Sequence, residues 1–277
     1  MIKHFSCMLA AILLVPAHSS HASENSIKLY TLDCGTIDVA NMASFDNQGR
    51  FDGQRLTLKV PCYLIRHPKG DLVWDTGLDD ALASTPNGIG AGTTFHSTMD
   101  RTLKDQLAEL ELTPADIEYL SLSHWHPDHS GNANLFGAST WVANRTEKEF
   151  MFSEAMKDAQ PGYAALANAP TILFDETYDV FGDGKVVIHS TPGHTPGHAV
   201  LLLELDEAGS LLFSGDLYAH PEGHRLRAIP VFNSNAEQTI LSQHYFEKLV
   251  ADNNARIIIE HDAEHFKSLP RFPAYLE

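Results

Sequence analysis

From Leu56 to Ile65 the chain alternates with a period of two: Leu56, Leu58, Val60, Cys62 and Leu64 are set against Thr57, Lys59, Pro61, Tyr63 and Ile65. That period puts alternate side chains on opposite faces of a strand, and Pro61, which donates no ladder hydrogen bond, marks a sheet edge or a bulge. His67-Pro68-Lys69-Gly70 turns the chain, and residues 71–74 return as a hairpin partner ending in Asp75-Thr76-Gly77. Residues 27–34 read as an earlier strand, and the polar stretch 38–53 as a long loop. Leu103, Leu107 and Leu110 recur at helical spacing until Thr113-Pro114, and residues 117–122 form the next strand. Helix followed by strand is the order of an α/β protein.

The same alternation continues. Strands are expected at 138–143, 171–174, 178–181, 185–190, 199–205 and 211–216, with a helix over 145–152. Met151, Phe152, Met156 and Tyr163 make an apolar cluster, read as core, with a lid over an apolar substrate group as the alternative. Ser234-Asn235-Ala236-Glu237 has the form of a capping box opening a helix to about Val250, with Ile240, Leu241, Tyr245 and Leu249 inward. The last strand, 256–259, ends at His261-Asp262.

Composition narrows the class. With 277 residues, 43% apolar and 20% charged, the chain can bury one large core. A net charge of −17 excludes a phosphate-backbone binder, which needs clustered lysine and arginine. Residues 1–22 resemble a secretory leader: Lys3 and His4, an apolar run from Cys7 to Pro16, then the small residues around Ser20-His21-Ala22. Cleavage is expected after Ala22, leaving residues 23–277 as one domain, exported to the periplasm or beyond. The apolar run is too short to span a bilayer. Cys34 and Cys62 then lie in a setting that permits a disulfide: each reads as a small buried thiol, and the alternative, open if their strands are neighbours, is a bridge between them.

Chemistry concentrates at strand ends. His124-Trp125-His126-Pro127-Asp128-His129 places three imidazoles and a carboxylate in six positions, the donor types that zinc and similar divalent metals take. His124 and His126 leave a strand on one side, and Pro127 breaks the strand before Asp128 and His129. His194 follows another strand end inside Thr191-Pro192-Gly193-His194-Thr195-Pro196-Gly197-His198, and it is favoured over His198, which is placed to support the loop. Asp216 ends a run so apolar that an unpaired charge there would be expensive, a cost that bridging two cations removes. Asp75 either caps its turn or holds a ligand imidazole by a hydrogen bond. His67, His96, His189, His220, His224, His244 and His265 lack such a context. There is no phosphate-cradling glycine loop and no Gly-x-Ser-x-Gly elbow.

The run 124–129 followed by His194, Asp216 and His261 resembles the metallo-β-lactamase superfamily. Asp33-Cys34-Gly35, residues 60–65, Val73-Trp74-Asp75-Thr76-Gly77 and Glu260-His261-Asp262-Ala263-Glu264-His265-Phe266 are similar to its N-acyl-homoserine lactone lactonases. The resemblance implies a four-layered αβ/βα sandwich of two mixed β-sheets flanked by helices. It implies one metal on His124, His126 and His194, a second on Asp128, His129 and His261, and Asp216 between them. Two divalent ions, zinc foremost, would share a hydroxide that attacks the lactone carbonyl. Asp128 would pass a proton to the leaving alkoxide. Tyr218, two residues after Asp216 where the family carries its tyrosine three after, would polarise the carbonyl. The implied partner is a small acyl-homoserine lactone, with no nucleic acid and no membrane span, and a homodimer stays open. Another ester, thioester or lactam hydrolase on this fold is the alternative, and an exported metal-binding protein without catalysis is the alternative of a different class.

Overall fold

The computed structural model of the chain describes residues 26–277, so the leader expected at 1–22 lies outside the described residues. Seven strands form one sheet: β1 (Lys28–Val39), β2 (Leu56–His67), β3 (Gly70–Trp74), β4 (Phe95–Thr98), β5 (Tyr119–Ser121), β6 (Thr140–Asn144) and β7 (Thr171–Phe174), in the order β4-β1-β2-β3-β5-β6-β7. Its hairpin half is antiparallel, and β3, β5, β6 and β7 run parallel. The second sheet takes β8 (Thr177–Asp179), β9 (Val186–Ser190), β10 (Ala199–Leu205), β11 (Gly209–Phe213) and β12 (Arg256–Ile258), in the order β12-β11-β10-β9-β8. Only the β11–β12 pair in it is parallel.

Period-two patterning builds the layers. On β2, Tyr63 and Ile65 face the core between the sheets and Leu64 faces outward, while on β10 Leu201 and Leu203 face inward and Val200 and Leu202 outward. The outer face of the first sheet is covered by α1 (Leu103–Glu109), by α3 (Arg145–Met151), and by Phe136, Tyr163 and Leu166, with the one-turn α2 (Pro127–Ser130) between the two helices in the chain. The outer face of the second is covered by α5 (Ala236–Asn253), which follows the short α4 (Pro221–Leu226), through Phe246 and Leu249. The result is helix, sheet, sheet, helix, with each buried leucine or phenylalanine worth roughly 1.5–3 kcal/mol. Met151, Met156 and Tyr163 are buried, so that apolar cluster is core rather than lid. Among the described residues no helix is long and apolar enough to cross a membrane.

Three local expectations are corrected. The first strand does not stop at Gly35 but runs on to Val39 across an irregularity between Asp33 and Thr36, and Pro61 pairs with Asp33 beside that break in an interior strand. The missing donor of Pro61 is thus accommodated by a bulge and not by a sheet edge. The N-cap of α5 is Asn235, whose side chain accepts from Gln238 N, because Ser234 Oγ donates instead to the His194 carbonyl. Ile240 and Leu241 accordingly point outward, at 43% and 68% exposure, and Thr239, Ser242, Gln243, Phe246 and Leu249 form the inward face. Polar groups on that face serve loops: Ser242 Oγ donates to the Pro192 carbonyl and Gln243 Nε2 to that of Ala228.

Candidate metal centre

Loops at the carboxyl ends of β3, β5 and β11, with those preceding β10 and following β12, converge at one edge of the sandwich. There His124, His126 and His194 meet. Three of their ring nitrogens, Nε2 of His124, Nδ1 of His126 and Nε2 of His194, lie 2.8, 3.1 and 3.1 Å apart. Tetrahedral zinc with ligands at about 2.0–2.1 Å would space them about 3.3 Å apart. Asp216 Oδ2 stands 3.4 Å from His194 Nε2 and 3.9 Å from His124 Nε2.

The other oxygen of Asp216 serves a second cluster. Its Oδ1 is 2.9 Å from His261 Nε2 and 3.4 Å from His129 Nε2, and Asp128 Oδ2 completes the group at 3.6 Å from His261 Nε2 and 3.9 Å from His129 Nε2. Asp216 Oδ1, His129 Nε2 and His261 Nε2 are buried without a well-formed hydrogen bond, although they are among the strongest polar groups in the protein. Buried polar atoms left in this state are costly. A divalent cation accepting these lone pairs removes the cost, so the residues present fit a metal pair.

The two clusters differ in their electrostatics. Burial pushes His124 well below the usual imidazole range, lowers His194, and brings His126 down to about 4. All three therefore stay neutral with a lone pair to donate. In the second cluster burial acts in the same direction but is outweighed. The carboxylates of Asp75, Asp128 and Asp216 hold His129 well above its usual range, and Asp216, with Asp128, brings His261 to about 9. Burial alone would raise Asp216, yet His261 and His129 keep it well below the usual carboxylate range.

An outer layer orients most of the ligands. Asp75 Oδ2 accepts from His129 Nδ1 at 2.9 Å and from Ser123 Oγ at 2.8 Å, and Asp75 Oδ1 accepts from Ser123 N at 2.6 Å. Ser123 Oγ also lies 3.0 Å from His124 Nδ1. His194 Nδ1 donates to Asn233 Oδ1 at 2.9 Å, and His261 Nδ1 to the Lys59 carbonyl at 2.7 Å. These bonds fix which ring nitrogen faces the cluster. Asp75 holds a left-handed backbone, φ 56°, to bring its carboxylate under the motif, so its place is as a ligand's partner and not a simple turn cap. Behind it, Cys34 and Cys62 are joined as a disulfide. Gly77 lies so close that a Cβ there would come within 2.2 Å of Cys34 Cβ.

Residues 56–261, well over half of the chain, match the family model described as the metallo-beta-lactamase superfamily. The chain belongs to the metallo-beta-lactamase superfamily. Curated relatives include the protein named N-acyl homoserine lactonase AttM of Azorhizobium caulinodans, 30% identical over 91% of this chain and 99% of that one. N-acyl homoserine lactonase AiiA of Bacillus thuringiensis subsp. kurstaki is 27% identical over 90% and 98%. Among solved structures, a B. thuringiensis AiiA variant with N-decanoyl-L-homoserine at its active site superposes with a TM-score of 0.77, at 26% identity, covering 91% of this chain and all of that one. An N-acyl homoserine lactone hydrolase with the product N-hexanoyl-L-homoserine at its catalytic metal centre gives 0.76 at 26% identity, with the same coverage.

Within this superfamily sandwich the seven ligand-type residues singled out from the sequence come together, and Tyr218 does not join them. Its side chain is buried under α5 against Phe246 and His224, and its hydroxyl donates to Glu247 Oε1 at 3.2 Å. His198 is a loop support: its Nε2 accepts from Asp216 N at 3.0 Å and its Nδ1 pairs with Thr191 Oγ1 at 2.9 Å. Sequence reasoning missed Asn233 and the Lys59 carbonyl. Apolar surface borders the first cluster, where Phe232, 40% exposed, has its ring centroid 5.8 Å from that of His194 and 5.5 Å from that of Phe45. On the other side of the motif a cleft of about 420 Å³ is lined by Leu82, Ile89, Trp125, Pro127 and Gly131 among others.

Proposed function

We propose that this chain is an exported dinuclear metal hydrolase that opens the ring of N-acyl homoserine lactones and so quenches acyl-lactone signalling. The observation that carries the reading is Asp216, whose two carboxylate oxygens each face a different cluster of metal-ligand side chains. The named activity of relatives near 30% identity over nine tenths of the chain supplies the substrate class. Nitrogen and oxygen donors at these spacings suit zinc.

A bound pair of divalent cations supplies Lewis acidity and water acidified enough to act as a nucleophile near neutral pH. The protein's part is placement. His124, His126 and His194 offer neutral nitrogens, Asp216 sets the distance between the two halves, and Asp75, Asn233 and Lys59 fix the imidazoles. Asp128 lies on the open side of the second cluster, its side chain 19% exposed against 1% for His129 and His261. Its carboxylate is placed to receive the proton of the attacking water and pass it to the ring oxygen as the acyl carbon–oxygen bond breaks. Water adds across that bond, giving an N-acyl homoserine. Phe232, backed by the buried Phe45, and the cleft beside Trp125 and Pro127 offer apolar surface for the acyl chain.

Export rests on the leader-like residues 1–22 and on the Cys34–Cys62 disulfide, a bond that persists in oxidising compartments. A mature amino terminus following Ala22, read by mass spectrometry from the full-length chain expressed in a bacterium, tests it. The activity is tested by titrating acid released from acyl-homoserine lactones of several chain lengths by zinc-loaded protein. No ring opening alongside hydrolysis of another ester or amide would transfer the reading to a different hydrolase, and no turnover of either kind would leave metal binding alone.

A further inference from the structure

Glu147 lies outside both ligand clusters and has no part in the proposed reaction, yet it is buried to 4% exposure and its carboxylate meets three donors. Oε1 accepts from Trp125 N at 3.0 Å, and Oε2 accepts from Thr195 Oγ1 at 2.9 Å and from Gly197 N at 2.8 Å. Trp125 sits between His124 and His126, and Thr195 directly follows His194. One carboxylate therefore ties together the two loops that deliver the first cluster. Its own position is fixed, since Asn144 caps α3 through Oδ1 and places Glu147 in the first turn. The second loop lies flush on that turn: a Cβ on Gly197 would come within 2.3 Å of Glu147 N and 2.4 Å of Asn144 Oδ1. Burial pushes the carboxyl of Glu147 up to about 7, and the three bonds oppose that rise.

We propose that Glu147 is the positioning residue of the first metal half-site, a brace that sets His194 against His124 and His126 before a cation arrives. The inference rests on the two-cation reading and concerns one half of it. All three neighbours donate, so a carboxylate satisfies them, whereas a glutamine amide must turn its NH₂ toward at least one donor. Loss of a group bonded directly to a metal ligand costs about 10–100-fold in affinity, and Glu147, which bonds residues beside the ligand histidines and none of their rings, acts at the lower end of that range.

Calorimetric zinc titration of the metal-stripped mature chain tests this, with His194→Ala identifying which binding step belongs to the first cluster. Glu147→Gln is expected to weaken that step by about tenfold and leave the other within about twofold. Thr195→Val, which removes one donor and keeps the shape, is expected to weaken the same step less, and it decides the matter should Glu147→Gln fail to fold. Unchanged affinity in both steps, or equal loss in both accompanied by a lower melting temperature of the metal-free protein, overturns the inference. Two zinc ions on the parent with either result would leave the two-cation reading standing. Fewer than two on the parent would remove that reading and this inference with it.

Discussion

The two halves of the centre share Asp216 but are made of opposite electrostatic material. The half formed by His124, His126 and His194 is three neutral imidazoles, with His126 held at about 4 by burial first. The half formed by Asp128, His129 and His261 keeps positive charge on its histidines, because nearby carboxylates outweigh burial and bring His261 to about 9. In the metal-free protein, protons in the second half thus stand where a cation would. Filling the first half releases few protons, whereas filling the second must displace them. Asp216 couples the two, so the sharpest ways to separate them begin there.

Asp216→Asn removes charge from both halves at once. Lactone opening is expected to fall by about 10²–10³-fold, the size of effect seen when one preorganised polar group of a catalytic centre is lost, and bound zinc to fall below two per chain. Steady-state kinetics and metal analysis of the purified variant check this. Two tightly bound zinc ions and retained turnover would mean that the halves do not depend on their shared carboxylate.

Acidity distinguishes the halves next. His261 rises from 6.5 to about 9 on folding, burial opposing and Asp216 prevailing, so its contribution to stability is fully present below about pH 6.5 and disappears as pH climbs through 9. At about 1.4 kcal/mol per unit this is at most about 3.5 kcal/mol. The metal-free protein is expected to melt at progressively lower temperature between pH 6.5 and 9, and the zinc-loaded protein to lack that decline. Parallel melting curves across this range would remove the contrast.

The outer partners give a smaller and more local comparison. Asp75→Asn takes the charge from His129 and disturbs Ser123 as well, so second-half zinc affinity is expected to fall toward the 100-fold end of the usual 10–100-fold range. Asn233→Ala removes one neutral bond from His194 and should cost the first half nearer tenfold. Competition with a chromophoric chelator orders the two variants, and the reverse order would place the controlling charge in the first half.

The unequal legibility of this molecule in its sequence has the same physical origin. His124, His126, Asp128 and His129 act through side-chain chemistry within six positions, so residue type and spacing reveal them, and Asp216 stands out as a charge ending an apolar strand. Asn233 reaches His194 across 39 positions, and Lys59 serves His261 across 202 positions through a backbone carbonyl that any residue would offer. Glu147 has an ordinary place in a short helix, and only the packing of two distant loops on it gives it work. Strand patterns located nearly every layer, because alternation reports burial directly. The inward face of α5 departs from the apolar pattern, since its polar Thr239, Ser242 and Gln243 turn inward with Phe246 and Leu249 while its apolar Ile240 and Leu241 turn out.

Tyr218 carries the smallest expected effect and the clearest separation of sequence position from spatial role. Two residues from Asp216, it shares the chain segment of the centre, but its ring packs on Phe246 and its hydroxyl is engaged by Glu247. Tyr218→Phe removes one hydrogen bond at the second sheet's outer layer and nothing from either half-site. Stability is expected to fall by about 0.5–1.5 kcal/mol, while kcat and KM for lactone opening stay within about twofold of the parent. Chemical denaturation and kinetics on the same preparation separate the two effects. A fall in kcat of about 100-fold with KM unchanged would instead require the hydroxyl to leave Glu247 and turn toward the metals during turnover, because only an interaction made in the transition state lowers kcat without moving KM.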